Sequence, residues 1–292
     1  MEQFDYKFGK TFQPSFDLVP EAFRHRLMGV DYARLKGMQS GDLFVTRHGW
    51  NAVESVLPEA WFIGEKFRKV GRALAGATGA VYRVPVPHPA RSGVAVVVKF
   101  SRAAQDVGMT VIHEGLVLDD EERACVDEVE FLSPFAEFGA VQRLRAVARW
   151  RIPTKQPLAV YCPPTRYRDW ELGRKSYIAR RMNQELLESQ ADVPEERRIS
   201  YEWDRLYILI YRWIDGIDAE QAAQLGIVSS ETMMALGQEA RATMRRFGWM
   251  VCDHKPRHVV IRQGRDGQPL RHGGRIVWGL IDYELLVPIM AA

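Results

Sequence analysis

Val81-Tyr82-Arg83-Val84 and Val94-Ala95-Val96-Val97-Val98-Lys99-Phe100 are β-branched runs on either side of a Pro-rich turn from Pro85 to Ser92. Apolar runs of that length bounded by turn residues predict a β-hairpin. Downstream the period changes: Cys125, Val129 and Leu132 share one face at helical spacing, so Leu118 to Leu132 is predicted as a helix with an acidic start. Further strands are predicted at Val141 to Trp150, Leu158 to Tyr161 and Leu206 to Ile210. A polar helix around Ala179 to Ser189 lies in an insert of about 165–203, and Tyr211-Arg212-Trp213-Ile214-Asp215-Gly216 reads as a connector. Ser229 or Ser230 can cap a second long helix running through Phe247, with Leu236, Ala240, Thr243 and Phe247 as its apolar stripe. Arg245 and Arg246 fall in its last turn and Gly248 just beyond it, where a helix prefers to stop. Asp266-Gly267 and Gly273-Gly274 mark a polar excursion between strands at Val259 to Arg262 and Ile276 to Ile281. Before Trp61 the aromatics Phe4, Tyr6, Phe8, Phe12 and Phe16 follow no period, so residues 1–60 are expected to form an extension packed on the main body.

Composition narrows the class without naming it. A chain of 292 residues, 47% hydrophobic and 26% charged, suffices for a sizeable core in one or two domains. Forty basic against 37 acidic residues leave a net charge of only +3, which gives no electrostatic case for nucleic acid. Cys125, Cys162 and Cys252 are odd in number and unpaired by spacing, as expected in a reducing compartment. The start Met1-Glu2-Gln3-Phe4-Asp5 has no leader pattern, and no run of about eighteen apolar residues occurs, so the expectation is a cytoplasmic protein without a membrane span. The Trp and Met residues are read as core, and Arg174-Lys175, Arg180-Arg181 and Arg197-Arg198 as a solvated face of the insert.

The chemistry concentrates near the carboxyl end. Asp253-His254-Lys255-Pro256-Arg257-His258 runs into Val259-Val260-Ile261, and Leu280-Ile281-Asp282-Tyr283-Glu284 follows. An Asp, a Lys two residues on, a metal-capable side chain three further and then a strand-borne Asp is the order that phosphoryl transfer from ATP requires. One carboxylate takes the proton of the attacking hydroxyl, the Lys neutralises the moving phosphoryl group, and the last two side chains hold a divalent metal. A zinc site from Cys252, Asp253, His254 and His258 is the rival. It needs a helix to bring the two imidazoles together, and Pro256 opposes one.

The order of these pieces resembles the protein-kinase-like superfamily. Gly76-Ala77-Thr78-Gly79-Ala80-Val81 is similar to the second half of that family's glycine loop, with Leu74 where its first glycine would stand. The resemblance implies that backbone N–H groups around Gly76 and Gly79 approach phosphate oxygens and that Val81 packs on adenine. It also implies that Lys99 holds the α- and β-phosphates and that Glu128 pairs with it, Glu130 being the competing choice. Tyr211 and Trp213, at the connector, become nucleotide contacts. Asp253 becomes the base, Lys255 the phosphate-neutralising cation, and His258 and Asp282 the ligands of Mg²⁺ or Mn²⁺. The implied fold is α+β and two-lobed: an extension over 1–60, a first lobe over 61–211 and a second lobe over 212–292, shortened because the sequence stops at Ala292.

Three departures from the family pattern qualify the expectation. Val251-Cys252 replaces the His-Arg pair that precedes the base, which removes control through a phosphorylated activation segment. His258 replaces the metal-binding Asn, and imidazole moves metal preference away from Mg²⁺ toward Mn²⁺, or the second metal is lost. Tyr283-Glu284 stands where Phe-Gly would follow the metal Asp. The expected function is therefore ATP-dependent transfer to a hydroxyl on a protein or small molecule. The alternatives are a pseudokinase that binds nucleotide as a regulatory or scaffold module, and a kinase of a small-molecule or envelope sugar acceptor.

Overall fold

The computed structural model describes residues 15–37, 40–74, 80–88, 93–106, 120, 123–124, 126, 129–148, 152–168, 170–264 and 266–289. The chain divides into two compact units: 1–106, 133–139 and 156–213 form the first, and 107–132, 140–155 and 214–292 the second. The expected boundary at 211 and 212 thus lies close to one crossing at Trp213, but the chain also crosses earlier, because 107–132 and 140–155 belong to the second unit.

The first unit is built on an antiparallel sheet. Its strands are β1 (Arg24–Leu27), β2 (Val30–Gly37), β3 (Gly41–Thr46), β4 (Arg72–Ala73), β5 (Val81–Pro85), β6 (Ala95–Phe100), β7 (Pro157–Cys162) and β8 (Ile208–Arg212), in the spatial order β1-β2-β3-β7-β8-β6-β5-β4. The predicted hairpin is β5 and β6, with Val81 opposite Lys99 and Val84 opposite Val96. Residues 24–46 correct the expected extension, since they supply three strands of the sheet. The hairpin of β1 and β2 turns at Met28-Gly29, both with positive φ (50° and 80°), which a two-residue turn matching strand twist demands. Methionine there carries none of the usual turn signal.

Both faces of the sheet are covered, which is why its central strands read as unbroken apolar runs. Val96, Val98, Ile208 and Ile210 pack on one face with Trp50, Trp61 and Tyr161. Val97, Leu209 and Tyr211 face the other way, with Phe135 and Phe138. Just beyond the insert, the chain is pinned to β3 by Arg205, which donates to the Asp42 carboxylate at 2.8 Å and to the carbonyls of Cys162 and Pro163 at 2.7 and 2.8 Å. A buried guanidinium needs that full set of acceptors. Within the insert the helix Ser176–Glu188 buries Ile178, Ala179, Met182 and Leu186.

Val141 to Trp150, expected as a strand, is helix as far as Ala148. The helix Pro134–Ala148 opens on Ser133 and Pro134, a residue whose fixed φ suits a first helical position. Phe138, Val141, Leu144 and Ala148 are buried at helical spacing while Val147 is half exposed, a period that belongs to a helix and not to the expected strand. Of the expected helix from Leu118 to Leu132, the described residues Asp120, Arg123, Ala124 and Val126 are helical, whereas its end, 129–132, is not; the rest lies outside the described residues.

The second unit packs the helices Ala219–Gln224 and Ser230–Arg246 with short strands: β9 (Ile217–Asp218), β10 (Trp249–Val251), β11 (Val259–Ile261), the hairpin β12 (Arg271–His272) and β13 (Arg275–Ile276), β14 (Trp278–Leu280) and β15 (Leu286–Pro288). Ser229 caps the long helix by accepting from the Thr232 amide at 3.1 Å. Gly248, with φ of 74°, ends it by donating to the Arg245 carbonyl. Leu236, Ala240 and Met244 form the buried stripe, whereas Thr243 turns its hydroxyl back to the Glu239 carbonyl at 2.6 Å. Cys162 in the first unit and Cys252 in the second are both buried thiols. No helix among the described residues is long and apolar enough to cross a membrane.

Candidate functional site

In the first unit, Lys99 is the penultimate residue of β6 and is 7% exposed, a costly place for an ammonium without a counter-charge. Glu137, only 2% exposed, provides it: Lys99 Nζ lies 3.3 and 3.2 Å from the two carboxylate oxygens. Tyr211 donates its hydroxyl to Glu137 Oε1 at 2.7 Å. The register explains the meeting. Lys99 is opposite Leu209 and Val97 opposite Tyr211, so all four side chains share one face of the sheet, which the start of the helix Pro134–Ala148 covers.

Glu137 is the residue that sequence reasoning missed. Its signal was a lone acid among Phe135, Ala136 and Phe138 just after a Ser-Pro helix start. Glu128, the expected partner of Lys99, lies outside the described residues, as do Gly76 and Gly79; Glu130 lies in a non-helical segment of the second unit. Val81 pairs with Lys99 across the hairpin. Trp213 follows β8, takes the Arg83 guanidinium over its ring at 5.1 Å and donates its amide to the Ala95 carbonyl.

In the second unit the remaining expected residues sit on two adjoining loops. β10 pairs with β15, and the Cys252 amide donates to the Leu285 carbonyl, which fixes the chain just before Asp253. His254 lies beside the long helix, its Nε2 at 3.0 Å donating to the Gly237 carbonyl. Lys255 Nζ contacts Asp253 Oδ1 at 2.6 Å. Pro256–His258 is one 3-10 turn leading into β11. β11 pairs with β14, Val259 opposite Leu280, and the Ile281 amide donates to the His258 carbonyl at 3.1 Å. Gly279 allows this packing, because a Cβ there would stand 2.6 Å from the Pro153 carbonyl oxygen.

The pairing brings His258 Nε2 to 3.6 Å from Asp282 Oδ2, while His258 Nδ1 is buried without a hydrogen-bond partner. Burial pushes the His258 imidazole below its ordinary pKa against the opposing pull of Asp282 and Asp253, which favours the neutral, ligating form. Neighbouring ligands of an octahedral ion with bonds of about 2.0 to 2.1 Å stand about 2.9 Å apart, so these two donors would have to close by some tenths of an ångström to share Mg²⁺. No group of three or more His, Cys, Asp or Glu suited to a metal exists among the described residues. Tyr283 is fully buried; it donates to the Leu280 carbonyl at 2.8 Å and lies under the Lys155 ammonium at 5.6 Å from the ring centre. These contacts hold the backbone on either side of Asp282.

The structure thus brings Lys99 to Glu137 and Tyr211 in one unit, and Asp253 to Lys255 and His258 to Asp282 in the other. No family model matches the chain. No curated protein matches it either. Among solved structures it is similar to "WaaP in complex with acyl carrier protein", at 12% identity over 77% of this chain and 67% of that one, with a TM-score of 0.36.

Proposed function

We propose that the protein is a kinase-like phosphotransferase that moves the γ-phosphoryl group of ATP to a hydroxyl acceptor. The observation that carries this reading is the adjacency of the two loops on β11 and β14, which gives one small region a carboxylate with its own cation and an imidazole facing a second carboxylate. In that role Asp253 accepts the proton of the attacking hydroxyl and Lys255 offsets charge on the moving group. Asp282 and His258 would hold Mg²⁺ or Mn²⁺, which supplies charge neutralisation of the phosphates. Lys99, backed by Glu137, would take the α- and β-phosphates, with Gly76 and Gly79 offering backbone N–H groups and Val81 and Trp213 lining the base.

The test is Asp253→Ala. Turnover should fall on the order of 10² to 10⁴ while ATP affinity changes little. Equal turnover in variant and parent removes Asp253 from the reaction.

One observation favours a second reading, a pseudokinase: His258, standing where the family pattern has a metal-binding Asn, is buried with its Nε2 3.6 Å from Asp282 Oδ2. A thermal shift with ATP plus Mg²⁺ or Mn²⁺, without labelled phosphate reaching any acceptor, identifies that module.

A further inference from the structure

We propose that Tyr211 is a positioning residue for Lys99 and not a nucleotide contact, an inference that rests on the kinase-like reading of the Lys99 site. The side chain is fully buried on β8. Its hydroxyl donates to Glu137 Oε1 at 2.7 Å, the same oxygen that Lys99 Nζ approaches at 3.3 Å. Its ring packs on Phe138, the next residue of the helix, with centroids 4.9 Å apart. Tyr211 therefore grips two successive residues at the start of that helix, one through its hydroxyl and one through its ring.

The physical consequence concerns the carboxylate. An ammonium by itself sets no rotation for a carboxylate about its last bond, because a point charge is indifferent to angle. A hydroxyl donor adds a preferred rotation, since its hydrogen bond has a direction and the surroundings have a low dielectric. With Glu137 fixed in rotation, Lys99 is held toward one place rather than a range of them. Phosphate binding by a lysine depends on that placement, because an ammonium that wanders by an ångström loses much of the advantage of preorganisation. Tyr211 stands two strand positions from Leu209, the residue opposite Lys99, so the sheet register keeps its hydroxyl beside the ion pair.

Tyr211→Phe removes the hydroxyl and keeps the ring. ATP is titrated with Mn²⁺ into the parent, Tyr211→Phe, Lys99→Met and the double variant. The expected result is about a tenfold weaker ATP affinity in Tyr211→Phe and no further loss when Lys99 is already Met. The KM for ATP should rise with kcat at saturation within about twofold. Unchanged affinity, or an equal loss in both backgrounds, overturns the proposal and leaves Tyr211 as packing. A parent protein that binds no ATP overturns the kinase-like reading instead. Positioning is then decided by lysine side-chain ¹⁵N NMR without nucleotide. The Lys99 signal, identified by its loss in Lys99→Met, should shift in Tyr211→Phe and stay put in Tyr207→Phe; a Lys99 signal indifferent to Tyr211→Phe ends the proposal.

Discussion

Glu137 and Lys99 were unequal as sequence signals. Lys99 closes an apolar run, so its need for an anion could be read directly from the chain. Glu137 could have been found by the same logic, as an acid flanked by Phe135, Ala136 and Phe138, but only once the segment was known to be helical. Burial without a stripe is also how His25 acquires its character. It lies half-buried on β1, and burial, with the charges of Arg34 and Arg197, pushes its pKa down from 6.5 to about 4. A native value below the unfolded one means that the unfolded chain binds the extra proton between those two values. Stability supplied by neutral His25 is present above pH 6.5 and is lost as the pH falls toward 4. The urea midpoint should therefore decline between pH 6.5 and 4, and His25→Gln should flatten that decline; an identical slope in the variant would clear His25 of the effect.

Among elements, those with strong caps or unbroken β-branched runs were legible. The hairpin of β5 and β6 and the helix Ser230–Arg246 follow from a Pro-rich turn in one case and from Ser229 and Gly248 in the other. The helix Pro134–Ala148 was misread in its second half, where polar and apolar residues alternate only over Arg143-Leu144-Arg145-Ala146, a short period of two inside a longer period of 3.6. Its assignment has a direct check. Leu144 is fully buried and Val147 half exposed, so Leu144→Ala should cost about 2 to 5 kcal/mol in urea unfolding. Val147→Ala should stay within about 0.5 kcal/mol. Comparable costs at both positions would contradict the observed face. Strands β1 to β3 escaped notice for another reason. Arg34 and Asp42 place charge inside a sheet, tolerable because Arg34 Nη2 and Asp42 Oδ1 meet at 3.0 Å, and nothing in a linear pattern announces a pair made across strands.

For the molecule as a whole, composition indicated a chain large enough for two bodies but could not reveal that they are interleaved. The first unit draws on 1–106, 133–139 and 156–213, and the second takes the stretches between and after. Local periodicity reports which face of an element is apolar, and it carries no record of which distant element will cover that face. The candidate site shows the same division. Asp253, Lys255, His258 and Asp282 could be read together because they cluster in sequence around one strand pair, whereas Glu137, which meets Lys99, belongs to a segment that returns to the first unit for only seven residues, 133–139.

Each unit also carries its own internal clock. Cys162 sits on β7 in the first and Cys252 just ahead of Asp253 in the second, both shielded, and burial pushes the Cys162 thiol up to about 12. Alkylation of either sulfur thus has to wait for the surrounding body to open. Pulse-labelling with a maleimide and reading each cysteine peptide by mass spectrometry should yield separate opening rates for the two halves, and ATP should slow modification at Cys252 if the loop beside it gathers around nucleotide.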